Sequence, residues 1–236
     1  MVDRLQIVNY GLETADWKLN CGLKKNMENP VLIFGAKGLG LVALDIFQRN
    51  NVVVYGLLDD DAGLHNTEIG EYMVLGSTDD DGFLKLIGKK CEAFVAIEER
   101  AVRRDVVQML NDRRHVMPVN AIHDTAVVSS FAEIGHGNLI AARVIVNAKA
   151  TIGHHSLLQA GAIVEHGATI GDYVNIGAGC IIGSGATVDN DAFIGSGAII
   201  VAGIQIGQGA SVGAGSVVVE NVPKGGRVFG NPAKKI

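Results

Sequence analysis

The sequence contains little cysteine, little proline and few aromatic residues. Its 236 residues include only three cysteines, Cys21, Cys91 and Cys180, which lie far apart and form no CxxC pair. A disulfide framework is therefore not expected, and the cysteine usage fits a reducing compartment. The chain has four prolines and 5% aromatic residues but 48% hydrophobic residues. This composition excludes general disorder and indicates a core built from small, regular aliphatic layers.

The sequence also lacks an excess of basic residues and a long apolar run. A formal net charge of −5 and a pI near 5.8 give no electrostatic basis for binding nucleic acid. No apolar stretch reaches the roughly 18 residues needed to span a bilayer. The first residues contain acidic side chains and lack the apolar segment of a secretory signal. We therefore expect a cytoplasmic protein without a nucleic-acid partner and without membrane insertion.

Aliphatic residues recur with a period of six in the second half of the chain. Ile122 to Val218 span 96 residues, or 16 steps of six, and all 17 positions are aliphatic. The residue four places after each of them is mostly small. This is the hexapeptide period of a parallel β-helix, in which three hexads close one triangular coil and the aliphatic side chain points inward. Glycine often follows the aliphatic residue directly, as at Gly135, and is expected to relieve the tight corners.

A coil of three hexads predicts which side chains stack along the helix axis. His136 and His154 should lie above each other, and Thr151, Thr169 and Thr187 should form a second column. His166, Ser184 and Ala202 should form a third column. The spacing of His136, His154 and His155 does not resemble the converging histidines of zinc-binding hexapeptide proteins, so no metal site is expected.

The first half of the chain indicates a small α/β domain. Residues 31–50, VLIFGAKGLGLVALDIFQRN, are typical of a buried strand, a glycine turn and a helix, and residues 51–61 form the next strand. That strand ends in Asp59, Asp60 and Asp61, about 20 residues after the glycine turn, as in nucleotide-binding βαβ units. The glycines follow G-x-x-G-x-G rather than G-x-G-x-x-G. A tight turn with solvated aspartates therefore stays open as an alternative.

The remaining segments complete the predicted organisation. Thr78 to Asp81 has the spacing of a capping box and predicts a helix through Leu86, followed by a strand at 91–99 and a helix near 100–113. The predicted fold class is a small Rossmann-like βαβ domain followed by a parallel β-helix of hexapeptide repeats. We place a loose N-terminal extension at residues 1–26, the α/β domain at 27–119, the coil at 120–222 and a C-terminal tail at 223–236.

Together these motifs resemble the sugar O- and N-acetyltransferases of the NeuD and PglD type. The resemblance covers about residues 30–236 and depends on VLIFGAKGLG, GLLDDD, FVAI, the hexads, IVEHGATIGD and the closing GNPAKKI. It implies a left-handed β-helix and a homotrimer that binds acetyl-CoA between neighbouring coils. It also implies that the N-terminal domain holds a nucleotide-linked amino sugar, or a sialic-acid-like acceptor, for surface-glycan biosynthesis.

The resemblance also implies roles for individual residues. His166 would be the general base, with Glu165 as its acidic neighbour. The acetyl-CoA site would contain Asn175, the backbone amides of Ser184 and Ala202, and Lys234. The nucleotide would be held by Gly35, Lys37, Gly38, Asp59 and Asp60.

Several positions depart from the family pattern, and among them Gln159 and Asn175 differ from the polar residues seen in close relatives. Leu39 stands where the glycine turn usually has histidine, Glu98 adds a carboxylate beside the expected phosphate site, and Gly167 follows His166 where an acidic residue is often found. The choice between N- and O-acetylation stays open. A non-catalytic β-helix, acting as a scaffold or a sugar-nucleotide sensor, is the alternative to the enzyme.

Overall fold

The N-terminal part of the protein is an α/β unit with a five-stranded sheet. The computed structural model describes residues 29–236, so the predicted extension at 1–26 lies outside the described residues. The sheet has the order β3-β4-β2-β1-β5 and is parallel except for β3. Its strands are Val31–Phe34 (β1), Val54–Leu58 (β2), Glu68–Ile69 (β3), Tyr72–Gly76 (β4) and Glu92–Val95 (β5), and its helices are Leu39–Arg49 (α1), Asp81–Leu84 (α2) and Arg100–Arg114 (α3). None of the helices within the described range is long and apolar enough to cross a bilayer.

The glycine turn between β1 and α1 depends on two glycines. Gly35 has φ +105°, a conformation that side chains rarely adopt. Gly40 lies so close to the turn that an added Cβ would be 2.1 Å from the carbonyl oxygen of Gly35. The start of α1 can therefore approach the end of β1 closely, as the βαβ interpretation requires.

The predicted capping box at Thr78 was wrong. Asp80 caps α2, because its carboxylate accepts a hydrogen bond from the amide of Gly82 at 2.6 Å, and α2 ends at Leu84 rather than Leu86. Thr78 instead donates both its amide and its hydroxyl to Asp60 Oδ1, at 2.8 and 2.9 Å. The hydroxyl is therefore used to join the end of β2 to the loop after β4.

The second half of the chain is a parallel β-helix with three faces, each a stack of two-residue strands. The docked face consists of Ala121–Ile122 (β6), Leu139–Ile140 (β9), Leu157–Leu158 (β12), Asn175–Ile176 (β15), Phe193–Ile194 (β18) and Ser211–Val212 (β21). The aliphatic face consists of Val127–Val128 (β7), Ile145–Val146 (β10), Ile163–Val164 (β13), Ile181–Ile182 (β16), Ile199–Ile200 (β19) and Val217–Val218 (β22). The polar face consists of Glu133–Ile134 (β8), Thr151–Ile152 (β11), Thr169–Ile170 (β14), Thr187–Val188 (β17) and Gln205–Ile206 (β20).

The hexad pattern accounts for the interior of the coil. The second residue of every strand points inward and is buried, except Ile134, which is partly buried. Each strand pairs in parallel with the strand three hexads later, as in Thr151 with Thr169 and Thr169 with Thr187. The imidazoles of His136 and His154 stack with ring centroids 5.7 Å apart. The predicted coil length is therefore confirmed.

The glycines that directly follow the aliphatic residue serve a different purpose from the one predicted. They do not have a positive φ; an added Cβ at Gly183, for example, would lie 2.6 Å from the amide nitrogen of Ala202 in the next coil. They are needed because neighbouring coils approach closely. The corner residues with positive φ come two places later, as at Gly167 and Gly185, and Tyr173 shows that a side chain can also occupy this position.

The α/β unit covers one face of the coil. Ala121, Leu139 and Leu157 point outward from the docked face, yet all are 0–1% exposed, because they share one apolar core with residues of α1 such as Phe47. At the far end, Arg227–Gly230 (β23) adds to the docked face in parallel with β21, and Ala233–Lys235 (β24) turns back antiparallel to it. The predicted tail is thus a hairpin that extends the stack.

Candidate active site

His166 lies on the corner that joins the aliphatic face to the polar face. It follows Val164 at the end of β13 and precedes β14, and its side chain is exposed. Ser184 and Ala202 occupy the same corner in the next two coils. Neither amide N–H donates to an acceptor within residues 29–236. The corner therefore combines one exposed imidazole with backbone donors that can serve a ligand.

The groups around His166 form two separate contacts. The Nδ1 atom of His166 lies 3.2 Å from Oγ of Ser184 in the next coil. Glu165 Oε2 instead accepts a hydrogen bond of 3.0 Å from Nδ2 of Asn147 in the preceding coil. The Glu165 carboxylate is therefore bound to the preceding coil, whereas the His166 ring contacts the next coil.

The glycine turn opens into a cavity of about 210 Å³ that contains most of the predicted nucleotide residues. Its lining includes Gly35, Lys37, Gly38 and Asp59. Asp59 Oδ2 accepts a hydrogen bond of 2.8 Å from the amide of Ala36 within the turn. The fifth predicted residue, Asp60, is not part of this lining; its carboxylate is bound to Thr78 instead.

Lys37 reaches over this cavity while paired with Asp61. The hydrogen bond to Asp61 raises the pKa of Lys37 above its ordinary value, and the same contact lowers the pKa of Asp61. Both side chains are largely exposed. The ammonium group therefore stays charged and close to the turn, where an anionic ligand could bind.

A second cavity, of about 340 Å³, lies between the glycine turn and the docked face. It shares Gly38, Leu39 and Glu98 with the first cavity. Its coil side is formed by Leu157, Gln159, Asn175, Ile176, Gly177, Ala178, Phe193 and Ser196. Leu39 and Glu98, which both depart from the family pattern, therefore line both cavities.

Arg103 binds two residues that line this second cavity, Glu98 and Asn175, and was missed by the sequence reasoning. It is 0% exposed, and it donates to the carbonyl oxygens of Ile97, Glu98 and His155 and to Oδ1 of Asn175, at 2.7 to 3.1 Å. Burial lowers its pKa to about 10. In the sequence it is one of several charged residues in an amphipathic helix, so no local signal marks it as buried.

Two of the predicted acetyl-CoA residues lie away from His166. Asn175 points outward from the docked face and lines the second cavity, whereas His166 stands on the opposite side of the aliphatic face. Lys234 belongs to the C-terminal hairpin, where it lines a cavity of about 140 Å³ together with Glu220. Glu220 lies one coil after Ala202, so Lys234 lies at the end of the corner that carries His166.

The stacked histidines form a separate group under α3. His155 is buried and its ring lies 5.0 Å from that of Tyr173. The guanidinium of Arg104 lies over the ring of Tyr173, with its central carbon 4.4 Å from the ring centroid. No cluster of three or more metal-ligating side chains is present in the part of the chain that the structure describes.

Three protein families match parts of the chain. Residues 30–110 match the family described as PglD N-terminal domain. Residues 149–184 match the bacterial transferase hexapeptide family with six repeats, and residues 185–220 match the hexapeptide repeat of succinyl-transferase. A search of curated proteins found no match.

Several solved structures are similar over almost their whole length. PerB from Caulobacter crescentus, in complex with CoA and GDP-perosamine, is 30% identical with a TM-score of 0.71, and the match covers 89% of this chain and 98% of that one. A mutant of perosamine N-acetyltransferase from the same organism, with the same ligands, is 29% identical with a TM-score of 0.80 over 89% and 97% of the two chains. The acetyltransferase domain of PglB from Neisseria gonorrhoeae, in complex with acetyl coenzyme A, is 25% identical with a TM-score of 0.80 over 88% and 99%.

Proposed function

The chain belongs to the hexapeptide-repeat sugar acetyltransferases of the PglD and NeuD type, and we propose that it acetylates a nucleotide-linked amino sugar with His166 as general base. Its coil is a left-handed β-helix, as in its structural neighbours, and its activity is acetyl-CoA-dependent sugar acetyl transfer. We further propose that the product enters surface-glycan biosynthesis in the cytoplasm.

The observation that carries the role of His166 is its position. It is an exposed imidazole on a coil corner whose neighbouring backbone donors, Ser184 N and Ala202 N, have no acceptor within residues 29–236. A general base must be accessible to the acceptor, and donors must be free to meet the acyl group. The corner offers both within two coils.

The chemistry follows from these groups. As the acceptor nitrogen or oxygen attacks the acetyl carbonyl, Nε2 of His166 takes the proton from that acceptor atom. The new C–N or C–O bond forms, the C–S bond breaks, and the proton passes from the imidazolium to the departing thiolate of CoA. Glu165, held by Asn147, supplies negative charge that favours the transient imidazolium. The free amides of the corner stabilise charge on the carbonyl oxygen.

We propose that the two cavities beside the glycine turn bind the acceptor. Lys37 and the turn amides suit the phosphates of a nucleotide, since ammonium and backbone N–H groups both bind anions. The second cavity, the larger of these two, would then receive the sugar between Leu39, Glu98 and the docked face. Asn175 belongs to this acceptor site in our proposal and not to the acetyl-CoA groove.

The aliphatic face supports a homotrimer. Its outward residues are Val127, Ile145, Ile163, Ile181, Ile199 and Val217, in one register, and every one is at least partly exposed. Val127 is 62% and Ile199 37% exposed. The outward residues of the polar face, by contrast, are threonine, glutamine and glutamate. A continuous apolar face of this kind is typical of an interface, and a second and third copy of the chain would cover it.

Threefold symmetry would also complete the site. In a ring, one edge of the aliphatic face meets the opposite edge on the next copy. One edge carries His166, Ser184 and Ala202. The other edge carries Gln159, Ala178 and Ser196, which line the larger cavity. The histidine of one subunit would thus face the acceptor cavity of its neighbour, with acetyl-CoA running along the corner towards Lys234.

Thiol release from acetyl-CoA tests this function. The acceptor panel should include amino-sugar nucleotides and sialic acids, and the enzymes compared should be the wild type, His166→Asn and His115→Asn. His115 is an exposed histidine at the end of α3 and serves as the control. We expect acceptor-dependent release that falls about 100-fold or more in His166→Asn only. Hydroxylamine then separates the products, because it cleaves an O-acetyl ester and leaves an N-acetyl amide.

Other outcomes would contradict parts of the proposal. Unchanged release in His166→Asn would remove His166 as the base. An absence of both release and acetyl-CoA binding would favour the non-catalytic scaffold. Binding of a nucleotide sugar without acetyl-CoA binding would favour the sensor.

A further inference from the structure

The ring of His166 has a single hydrogen-bond partner within residues 29–236, namely the hydroxyl of Ser184 at 3.2 Å from Nδ1. We propose that Ser184 is a positioning residue that fixes the tautomer and orientation of His166. In this arrangement Nδ1–H donates to Ser184 Oγ, and Nε2 carries the lone pair that takes the proton from the acceptor. This inference rests on the proposed role of His166.

The contact leaves Nε2 as the ring nitrogen without a partner within residues 29–236. A neutral imidazole carries one proton, and the hydrogen bond made by one nitrogen sets the state of the other. Because Nδ1 faces Ser184, Nε2 is the nitrogen left for the acceptor. If the serine donated to Nδ1 instead, the proton would sit on Nε2 and the base would be blocked.

Among residues 29–236, no other side chain near the ring performs this task. Glu165 is bonded to Asn147. Gly167 has no side chain and has φ +67°. Ala148, one coil before His166, offers only a methyl group. Residue 167, where relatives often have an acidic side chain, therefore offers the ring no hydrogen-bond partner. The hydroxyl of Ser184 in the next coil provides that hydrogen bond instead.

The coil makes the contact rigid. Gly185 N donates to the carbonyl oxygen of His166 at 3.1 Å, and Glu165 N donates to the carbonyl oxygen of Ile182 at 2.9 Å. The two neighbouring coils are thus joined on both sides of the pair. The distance between Nδ1 and Oγ is set by the stacking of coils, so it does not depend on a mobile loop.

This role differs from that of a cofactor ligand. The resemblance assigns only the backbone amide of Ser184 to acetyl-CoA, and a change of side chain leaves that amide in place. A positioning hydroxyl should therefore affect turnover and leave cofactor affinity unchanged. A hydroxyl that touches acetyl-CoA should affect the KM for acetyl-CoA.

The kinetic test compares Ser184→Ala and Ser184→Thr with the wild type. Thr187→Val, which removes a hydroxyl from the polar face three residues later, is the control. We expect kcat to fall about tenfold or more in Ser184→Ala, with the KM for acetyl-CoA within about twofold of the wild-type value. Ser184→Thr, which keeps a hydroxyl, should recover most of kcat. An unchanged kcat in Ser184→Ala, or a rise in KM alone, would overturn the proposal.

A spectroscopic test does not depend on activity. Imidazole ¹⁵N chemical shifts distinguish the Nδ1–H from the Nε2–H tautomer, and His166→Gln identifies the signals of His166. We expect the Nδ1–H form to dominate in the wild type and in Ser184→Thr, and the population to shift towards Nε2–H in Ser184→Ala. Equal populations in the wild type and Ser184→Ala would refute the positioning role. If the enzyme transferred no acetyl group to any acceptor, the proposed function would fail, yet this measurement would still decide the tautomer.

Discussion

The guanidinium of Arg103 donates a hydrogen bond of 2.7 Å to Oδ1 of Asn175, from a helix of the α/β unit to a strand of the coil. Arginine has only donors, so this contact fixes which way the Asn175 amide points. Its Nδ2 has no partner within residues 29–236 and remains available to a ligand in the larger cavity. One buried cation therefore joins the two parts of the protein and orients a residue of the proposed acceptor site.

Replacing Arg103 by methionine should destabilise the protein and weaken acceptor binding. Three carbonyl oxygens and the Asn175 amide would lose their donor. We expect the free energy of unfolding to fall by about 3 kcal/mol and the KM for the sugar acceptor to rise, measured by urea unfolding and by thiol release. Arg113→Met, at the exposed end of the same helix, should change stability by less than about 0.5 kcal/mol. Equal effects of the two changes would contradict this role.

Stability should decrease as the pH falls, because of His155. Burial, with repulsion from His154 and Arg103, lowers the pKa of His155 to about 4, from an ordinary value of 6.5. Between these pH values the unfolded chain binds a proton that the folded protein excludes, so the free energy of unfolding falls by about 3 kcal/mol at most. Asparagine tolerates the positive φ of 56° at this position. In His155→Asn the plot of the free energy of unfolding against pH should therefore be flatter between these pH values. Parallel curves for the two proteins would show that another group is responsible.

Close contact between coils should make Gly183 intolerant of a side chain. In Gly183→Ala the new Cβ would lie 2.6 Å from the amide nitrogen of Ala202 and 2.7 Å from the carbonyl oxygen of Ile200. Both atoms belong to the backbone of the next coil and cannot move away without separating the two coils, so we expect a loss of about 2–3 kcal/mol. Gly209→Ala, with positive φ but open space around it, should cost about 1 kcal/mol. The urea midpoints of the two variants provide the measurement, and the reverse order would be inconsistent with this account.

A charge on the aliphatic face should separate the subunits. Ile181 lies in the middle of the outward row, between Ile163 and Ile199. Ile181→Asp would bury an unpaired carboxylate at the proposed interface. We expect the mass in solution to change from trimer to monomer and acetyl transfer to be lost with it. Thr187→Asp, on the polar face, should leave the mass unchanged. A wild-type protein that is monomeric in solution would exclude the site between subunits.

Loss of the Lys37 charge should weaken binding of the nucleotide part of the acceptor. In Lys37→Gln we expect affinity for the nucleotide sugar to fall about tenfold, as for one charge-assisted hydrogen bond. Calorimetric titration at two salt concentrations measures this, because the wild-type advantage should shrink at high ionic strength. Lys89→Gln, in the exposed turn after α2, is the control. Equal affinities for the wild type and Lys37→Gln would place the phosphates elsewhere.

The repeating part of the fold follows from the sequence because each hexad obeys the same local rule. One inward aliphatic residue and one small residue per hexad suffice to predict the coil, its length of three hexads and its columns. The column of His166, Ser184 and Ala202 was predictable for the same reason. The glycine turn and its nearby aspartates were also recognisable, because they lie close together in the chain.

The tertiary structure alone decided how the two halves of the chain meet. Arg103 looks like a solvated helix residue, and only docking of α3 on the coil makes it buried and bonds it to Asn175. Asp60 and Asp59 are adjacent in sequence, yet one binds Thr78 and the other faces the cavity. A local pattern fixes the period, burial and stacking of a repeat, because neighbouring residues determine them. Contacts between distant segments depend on packing geometry, to which no sequence period corresponds.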